Sequence, residues 1–251
     1  MIETGYFQVL MAVALAVLAF VLALWKSIPV TKEIGWGTLR AFVQLVAVGY
    51  ALEFIFNSES YWLVALSVAV MILVGAYTAG QRAEYFKNGF TIALISITTG
   101  SLVTLGLMLA LKIISPEARY IIPLTGMIIA NSMNASAITF NRIGSDLKSN
   151  RLAIETSLSL GKSWKEASKK YYRDSIKAGM ITILNFLKTA GIVALPGAMT
   201  GMILAGVSPL EAVLIQVIVA YMLLSSLTIS AILSAELAIR RFFNAAEQFI
   251  G

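Results

Sequence analysis

Runs of about 20 mainly apolar residues, each long enough to cross a bilayer, recur seven times in this chain and constrain its fold more than any other feature. They lie at about 5–25, 37–56, 61–80, 89–113, 120–141, 179–206 and 210–239. No water reaches the peptide groups inside a bilayer, so each crossing segment must satisfy its own backbone and is helical. Pro29, Ser115-Pro116 and Ser208-Pro209 punctuate the runs. The expected fold is all-α: one polytopic transmembrane helix bundle of about seven spans, occupying residues 1–251. Charged residues make up only 13% of the chain, against about 25% in soluble domains. The N-terminal run lacks a basic leader and a small-residue cleavage site, so it reads as a retained span.

The basic residues give the bundle a direction. Of 19 Lys and Arg, all but Arg40, Lys112, Arg119 and Lys188 fall in alternate loops or at the C-terminal end. By the positive-inside rule those loops are cytoplasmic, the N-terminus is outside and the C-terminus is inside. This placement beside spans also argues against nucleic acid as the partner of the +6 net charge. Arg40 and Lys188 sit within expected spans. Both can snorkel to an interface, and Lys188 can alternatively line a pathway.

Several chemistries are excluded. The chain has no Cys and no His, which removes disulfides, Cys/His metal centres and a histidine proton switch. Intramembrane carboxylates usually mark proton or ion coupling. Here Glu53 and Glu236 lie near span ends, and Glu3, Glu59, Glu117 and Glu211 lie on the outer side. A proton relay therefore lacks its groups, and no nucleophile–base pair supports an intramembrane enzyme.

Gly161-Lys162-Ser163 has the look of a nucleotide-binding P-loop tail. That loop needs a glycine five residues before Gly161 and a preceding strand. The position holds Thr156, and the preceding sequence reads as helix. The local signals fit a bend instead. Leu147, Ile154 and Leu158 give one apolar stripe at helical spacing. Gly161 suits a left-handed helix end, and Ser163 with Glu166 fits a capping box that starts a second helix. Trp164, Ala167 and Tyr171 share a face of that helix. The expectation is a cytoplasmic helical hairpin over 143–178. Geometry alone leaves two readings open: a lever that meets a partner, or an amphipathic helix lying on the membrane surface.

The fifth run carries Thr125, Asn131, Ser132, Asn134, Ser136, Thr139 and Asn141, with Met127 and Met133 among them. Met127, Asn131, Asn134 and Asn141 share one helical face, interrupted by Ile138. Asparagine facing lipid costs free energy, so this face is expected to turn inward. It is either packing glue or a pathway whose amide oxygens coordinate a hard cation, with thioethers as soft ligands. In the sixth run Pro196 is expected to kink the helix. Gly197 and Gly201 form a GxxxG pattern suited to close helix approach or a homodimer. The Pro-Gly kink beside Met199 and Met202 suits a moving gate equally well.

Together these residues resemble a known family. Arg40 through Tyr50, Ile122 through Asn134, Glu155 through Gly161, and Ala194 through Met202 followed by Ala205-Gly-Val-Ser-Pro-Leu are similar to the FetB-type membrane subunit of iron-export ABC transporters. That family is related to the plant aluminium-tolerance permeases. The resemblance covers nearly the whole chain. It implies a multi-pass permease of the plasma (inner) membrane that pairs as a homodimer with a separate cytoplasmic ABC ATPase and exports a metal cation such as iron. It further implies that ATP and Mg bind the partner and that this chain catalyses nothing. Glu155 and Gly161 have the spacing of the ABC coupling loop, with Thr156 and Ser157 in place of its two alanines. The resemblance thus assigns ATPase coupling to Glu155, Leu158, Gly161, Ser163, Trp164 and Ala167. The rival expectation is a stand-alone channel or secondary carrier.

Overall fold

The computed structural model describes residues 6–58, 60–193 and 195–250; Glu3, Glu59 and Ala194 lie outside them. The described backbone is helical, apart from turns and one isolated antiparallel bridge between Phe243 and Phe249. It divides into two compact units, Met1–Ser60 and Tyr61–Gly251.

The first unit is a helical pair, α1 (Tyr6–Trp25) and α2 (Thr31–Ser58). Between them Ser27 takes a left-handed φ of 51°, and its N–H and that of Ile28 close back on Leu24 O and Ala23 O. Val13, Ala16, Val17 and Phe20 of α1 meet Ile34, Gly35 and Thr38 of α2. Most of α2 is unburied along an apolar surface that includes Leu39, Phe42, Val43 and Leu45, as suits a helix in lipid. Arg40 is exposed on this helix.

The second unit contains α3 (Tyr61–Gly80), α4 (Gly89–Ala110), α5 (Ala118–Ser149), α6 (Arg151–Ser159), α7 (Trp164–Gly179), α8 (Ile181–Thr189), α9 (Gly197–Leu204) and α10 (Pro209–Ile239). Its centre is α5 and α10, each packed on the other and on α4. Small polar residues line these contacts, as expected where backbones must approach without a hydrophobic driving force. Ser234 Oγ donates to Ser136 Oγ at 2.9 Å, and Ser230 Oγ donates to Ser96 O at 3.2 Å. Gly100 lies against Ser230, where a Cβ would meet Ser226 O at 2.8 Å. Toward the end carrying most basic residues, a core of Phe140, Ile143, Leu147, Ile154 and Phe242 takes over.

Two sequence expectations change. Of the expected seven spans, α2, α3, α4, α5 and α10 are helices long and apolar enough to cross a bilayer, and α1 is an apolar helix of 20 residues. The run at 179–206 is not one kinked helix. It breaks into α8 and α9, of 9 and 8 residues, or about 13 and 12 Å at 1.5 Å per residue. Gly191 adopts φ 79°, and Pro196 stands at the N-cap of α9. There its missing N–H costs no helical bond. α5 differs in the opposite sense, running through to Ser149 for about 48 Å, well beyond a 30 Å hydrocarbon core.

Candidate functional site

At the end of α5 the chain turns through α6 and returns along α7. α7 runs back beside α5, with Thr139 Oγ1 donating to Ser175 O at 3.5 Å. The anticipated apolar stripe is what holds this elbow down. Leu147 and Ile154 are buried, and Leu158, Trp164, Ala167 and Tyr171 pack at the edge of the same core.

The bend is built from two local motifs. Gly161 sits at φ 84°. Its N–H donates to Leu158 O at 2.9 Å, and Lys162 N–H donates to Ser157 O at 3.2 Å. This pair of bonds is a Schellman motif, which satisfies carbonyls left open at a helix end. The capping box follows at once. Ser163 N–H donates to Glu166 Oε2 at 3.1 Å, and Glu166 N–H donates to Ser163 Oγ at 3.4 Å. Accepting from the Ser163 backbone and then its hydroxyl holds the Glu166 carboxyl below its ordinary pKa.

Glu155 lies on α6 with Oε1 2.7 Å from Arg151 Nε. The hydroxyls of Thr156, Ser157 and Ser159 turn back onto carbonyls four residues earlier. Leu152 and Leu160 are exposed at 78% and 76%, which places large apolar side chains on the outer surface of the elbow.

The sequence reading missed the contribution of the C-terminal tail. Trp164 N–H, a donor that α7 cannot satisfy internally, donates to Glu247 Oε2 at 3.1 Å. The Trp164 ring lies 5.6 Å from that of Phe243. Contacts of 5.5–6.2 Å continue from Phe243 to Phe249 and Phe242, and contacts of 5.4–5.7 Å continue through Phe86 to Phe140 of α5. Aromatic rings thus connect elbow, tail and bundle core. The signal available in sequence was Phe242, Phe243, Phe249 and Ile250 flanking the small and polar stretch 244–248.

The polar row of α5 divides differently from the expectation. Thr125, Ser132, Ser136 and Thr139 are the buried members. Asn134 and Asn141 are exposed, and Asn131 is half-buried with Nδ2 donating to Met127 O at 2.9 Å. The asparagine face is therefore not covered by the helices of the second unit. Met127 and Met133 are half-buried at its edges. On α9, Met199 is buried, Met202 and Pro196 are half-buried, and Gly197 and Gly201 face open space with nothing within 4 Å of an added Cβ. α9 packs against α10. No group of three or more His, Cys, Asp and Glu able to hold a metal occurs among the described residues. Lys188 lies in the last turn of α8 and is exposed.

Comparison with known proteins agrees with this architecture. The model of the family described as "Uncharacterised protein family (UPF0014)" matches residues 6–243. The UPF0014 membrane protein STAR2 of Oryza sativa subsp. japonica is 37% identical over 97% of this chain and 86% of its own length. Protein ALUMINUM SENSITIVE 3 of Arabidopsis thaliana is 35% identical over 94% and 87%. The probable iron export permease protein FetB of Escherichia coli (strain K12) is 35% identical over 96% and 93%. No solved structure matches the chain. A family model spanning nearly all of the sequence, together with relatives covered almost end to end, establishes that this multi-pass membrane protein belongs to the UPF0014 family.

Proposed function

We propose that this chain is the membrane subunit of an ATP-driven exporter of metal cations, iron among them, and that the α6–α7 elbow couples it to a separate cytoplasmic ABC ATPase. The observation that carries the reading is the elbow itself. It is a bend tied by a Schellman motif and a capping box, with exposed leucines outside and a continuous core beneath. The relative named as an iron export permease supports the cargo and the direction. Transport, not catalysis, is the work of this chain; ATP and Mg bind the partner.

The N-terminus lies outside and the elbow in the cytoplasm, as the basic residues indicate. Two copies of the chain pair with two ATPase subunits. ATP closes the ATPases, the elbows move together, and the bundle changes its open side. That shift requires ATP-bound partners to hold one bundle conformation more tightly than the other. The asparagine face of α5 supports the pairing, because bare amides against lipid are costly. A second copy placed there encloses a pathway of Met127, Asn131, Met133 and Asn134, whose amide oxygens can hold a hard cation in passing. The break between α8 and α9, at Pro196 and beside Met199 and Met202, is the gate. Short helices joined by irregular backbone are a recurrent transporter device. Gly197 and Gly201, open in the protomer, are packing positions for a neighbouring helix.

Purification tests the reading. A soluble ATPase is expected to co-elute with the chain, and Glu155→Lys or Gly161→Pro is expected to abolish the association. Retention through both changes refutes the coupling role. Vesicles containing both proteins are expected to move a metal cation on addition of ATP, and not an organic control. Metal movement without ATPase would instead support a stand-alone carrier.

A further inference from the structure

The segment after α10 is tied into a hairpin by several bonds. Phe243 and Phe249 bridge, and Ile250 N–H donates to Phe242 O at 2.8 Å. Asn244 Oδ1 accepts from the N–H groups of Ala246 and Gln248 at 3.0 and 2.8 Å, which closes a tight turn. This hairpin carries Glu247 to the first turn of α7, where its carboxylate takes the Trp164 N–H.

Hairpin and elbow together form a groove of about 800 Å³. Glu155, Leu158, Gly161 and Lys162 line one wall; Gln248 and Ile250 line the other. We propose that this groove is the ATPase docking surface, with the hairpin Phe243–Ile250 as its second wall and Glu247 as the residue that positions the elbow. The inference rests on the coupling role proposed above and assigns the tail a task in it.

The chemistry of the groove describes its occupant. Glu155 is neutralised by Arg151, and Glu247 is engaged by the backbone of α7. Lys162 has no ion pair among the described residues. Lys162 is therefore the cation of the lining without a salt bridge, while Glu247 keeps its negative charge on the hairpin wall. Leu160 at the tip and Ile250 on the far wall are 76% and 61% exposed, and large apolar groups rimmed by polar ones mark a protein contact. The occupant is a segment of the ATPase that presents an apolar side chain beside a carboxylate. A concave groove suits such an insertion better than a flat layer of lipid headgroups.

The chain has no cysteine, so a single introduced thiol can be labelled alone. Leu160→Cys and Ile250→Cys alter exposed side chains and leave the core intact. Each variant is expressed with its ATPase, labelled in membranes with a thiol-linked photo-crosslinker and illuminated. Adducts are identified by a peptide containing G-x-x-x-x-G-K-[ST]. Adducts of the ATPase from both positions are expected. An adduct from Leu160→Cys alone overturns the hairpin's role and leaves the coupling reading standing. No ATPase adduct from Leu160→Cys, or adducts with lipid only, removes the coupling reading and this inference with it. In a Glu247→Ala background the yield from Leu160→Cys is expected to fall. An unchanged yield overturns the positioning role.

Discussion

Gly161→Ala isolates the bend from everything around it. The glycine sits at φ 84°, with no heavy atom within 4 Å of an added Cβ. An alanine there meets no neighbour, so its cost is purely conformational. Holding an L-residue in the left-handed region costs about 1–2 kcal/mol, equivalent to a factor of roughly 5–30 in an equilibrium. If the ATPase binds only the closed elbow, that factor is the upper limit on the loss of affinity, reached when strain holds most of the population open. Asparagine, which visits the left-handed region more readily than other residues, is expected to lose less than alanine. Valine, β-branched and least tolerant of positive φ, should lose more. Gly206 provides the control. It adopts φ 94° with open space around it, and its N–H and that of Val207 make the same two bonds to Ile203 O and Met202 O. Gly206→Ala carries the same local cost far from the elbow in sequence. Titration of ATPase onto each variant in nanodiscs should give Gly, Asn, Ala, Val in falling order at 161 and wild-type affinity for Gly206→Ala. Equal losses at 161 and 206, or no order at 161, would refute the reasoning.

Three further outcomes follow from the same geometry. Gly100→Val drives a branched side chain into Ser226 O and Ser230, so the α4–α10 contact should lose about 1–3 kcal/mol by overpacking; a midpoint of thermal unfolding equal to wild type contradicts that packing. Lys112 occupies the left-handed C′ position after α4 at φ 54°, bonded to Leu109 O, with Ile113 bonded to Met108 O. Lys112→Gly should therefore stabilise by up to about 1 kcal/mol, the relieved strain less the added chain entropy of glycine; a fall in the unfolding midpoint counts against the assigned turn. Glu166 is held below its ordinary pKa by the Ser163 N–H and hydroxyl. A depressed carboxylate contributes its stability above its unfolded pKa and loses it as pH falls through its folded pKa. Amide exchange protection at Ser163, corrected for intrinsic rate, should decline on that acid side and lose this dependence in Glu166→Gln, whose amide can still close a capping box. An identical acid dependence in Glu166→Gln would assign it to another group.

The elbow was legible in the sequence because its rules are local. Gly161, Ser163 and Glu166 specify a bend through bonds spanning three to five residues, and those bonds are present. The orientation of α5 was less readable. Spacing correctly grouped Asn131, Asn134 and Asn141 on one face, but polarity did not show which way that face turned. In a bilayer both the bundle interior and the surroundings are apolar, so what turns inward is set by size: small Ser and Thr fit the close helix contacts, where Ser136 and Thr139 bond across to α10 and α7, and the larger carboxamides do not. The broken sixth span was hidden for a related reason. Hydropathy counts apolar residues and does not register that Gly191 leaves the helix five residues before Pro196 begins a new one. The tail was out of reach of local reasoning, since Glu247 meets Trp164 across 83 residues of sequence.

Hydrogen exchange of the intact chain with and without its ATPase reads the central surface directly. Slowed exchange on ATPase addition is predicted at Ser157–Glu166 and at Ala246–Ile250, with α4 and the membrane portion of α5 unchanged. Unaltered exchange across both segments, with the ATPase bound elsewhere or not at all, would contradict the account.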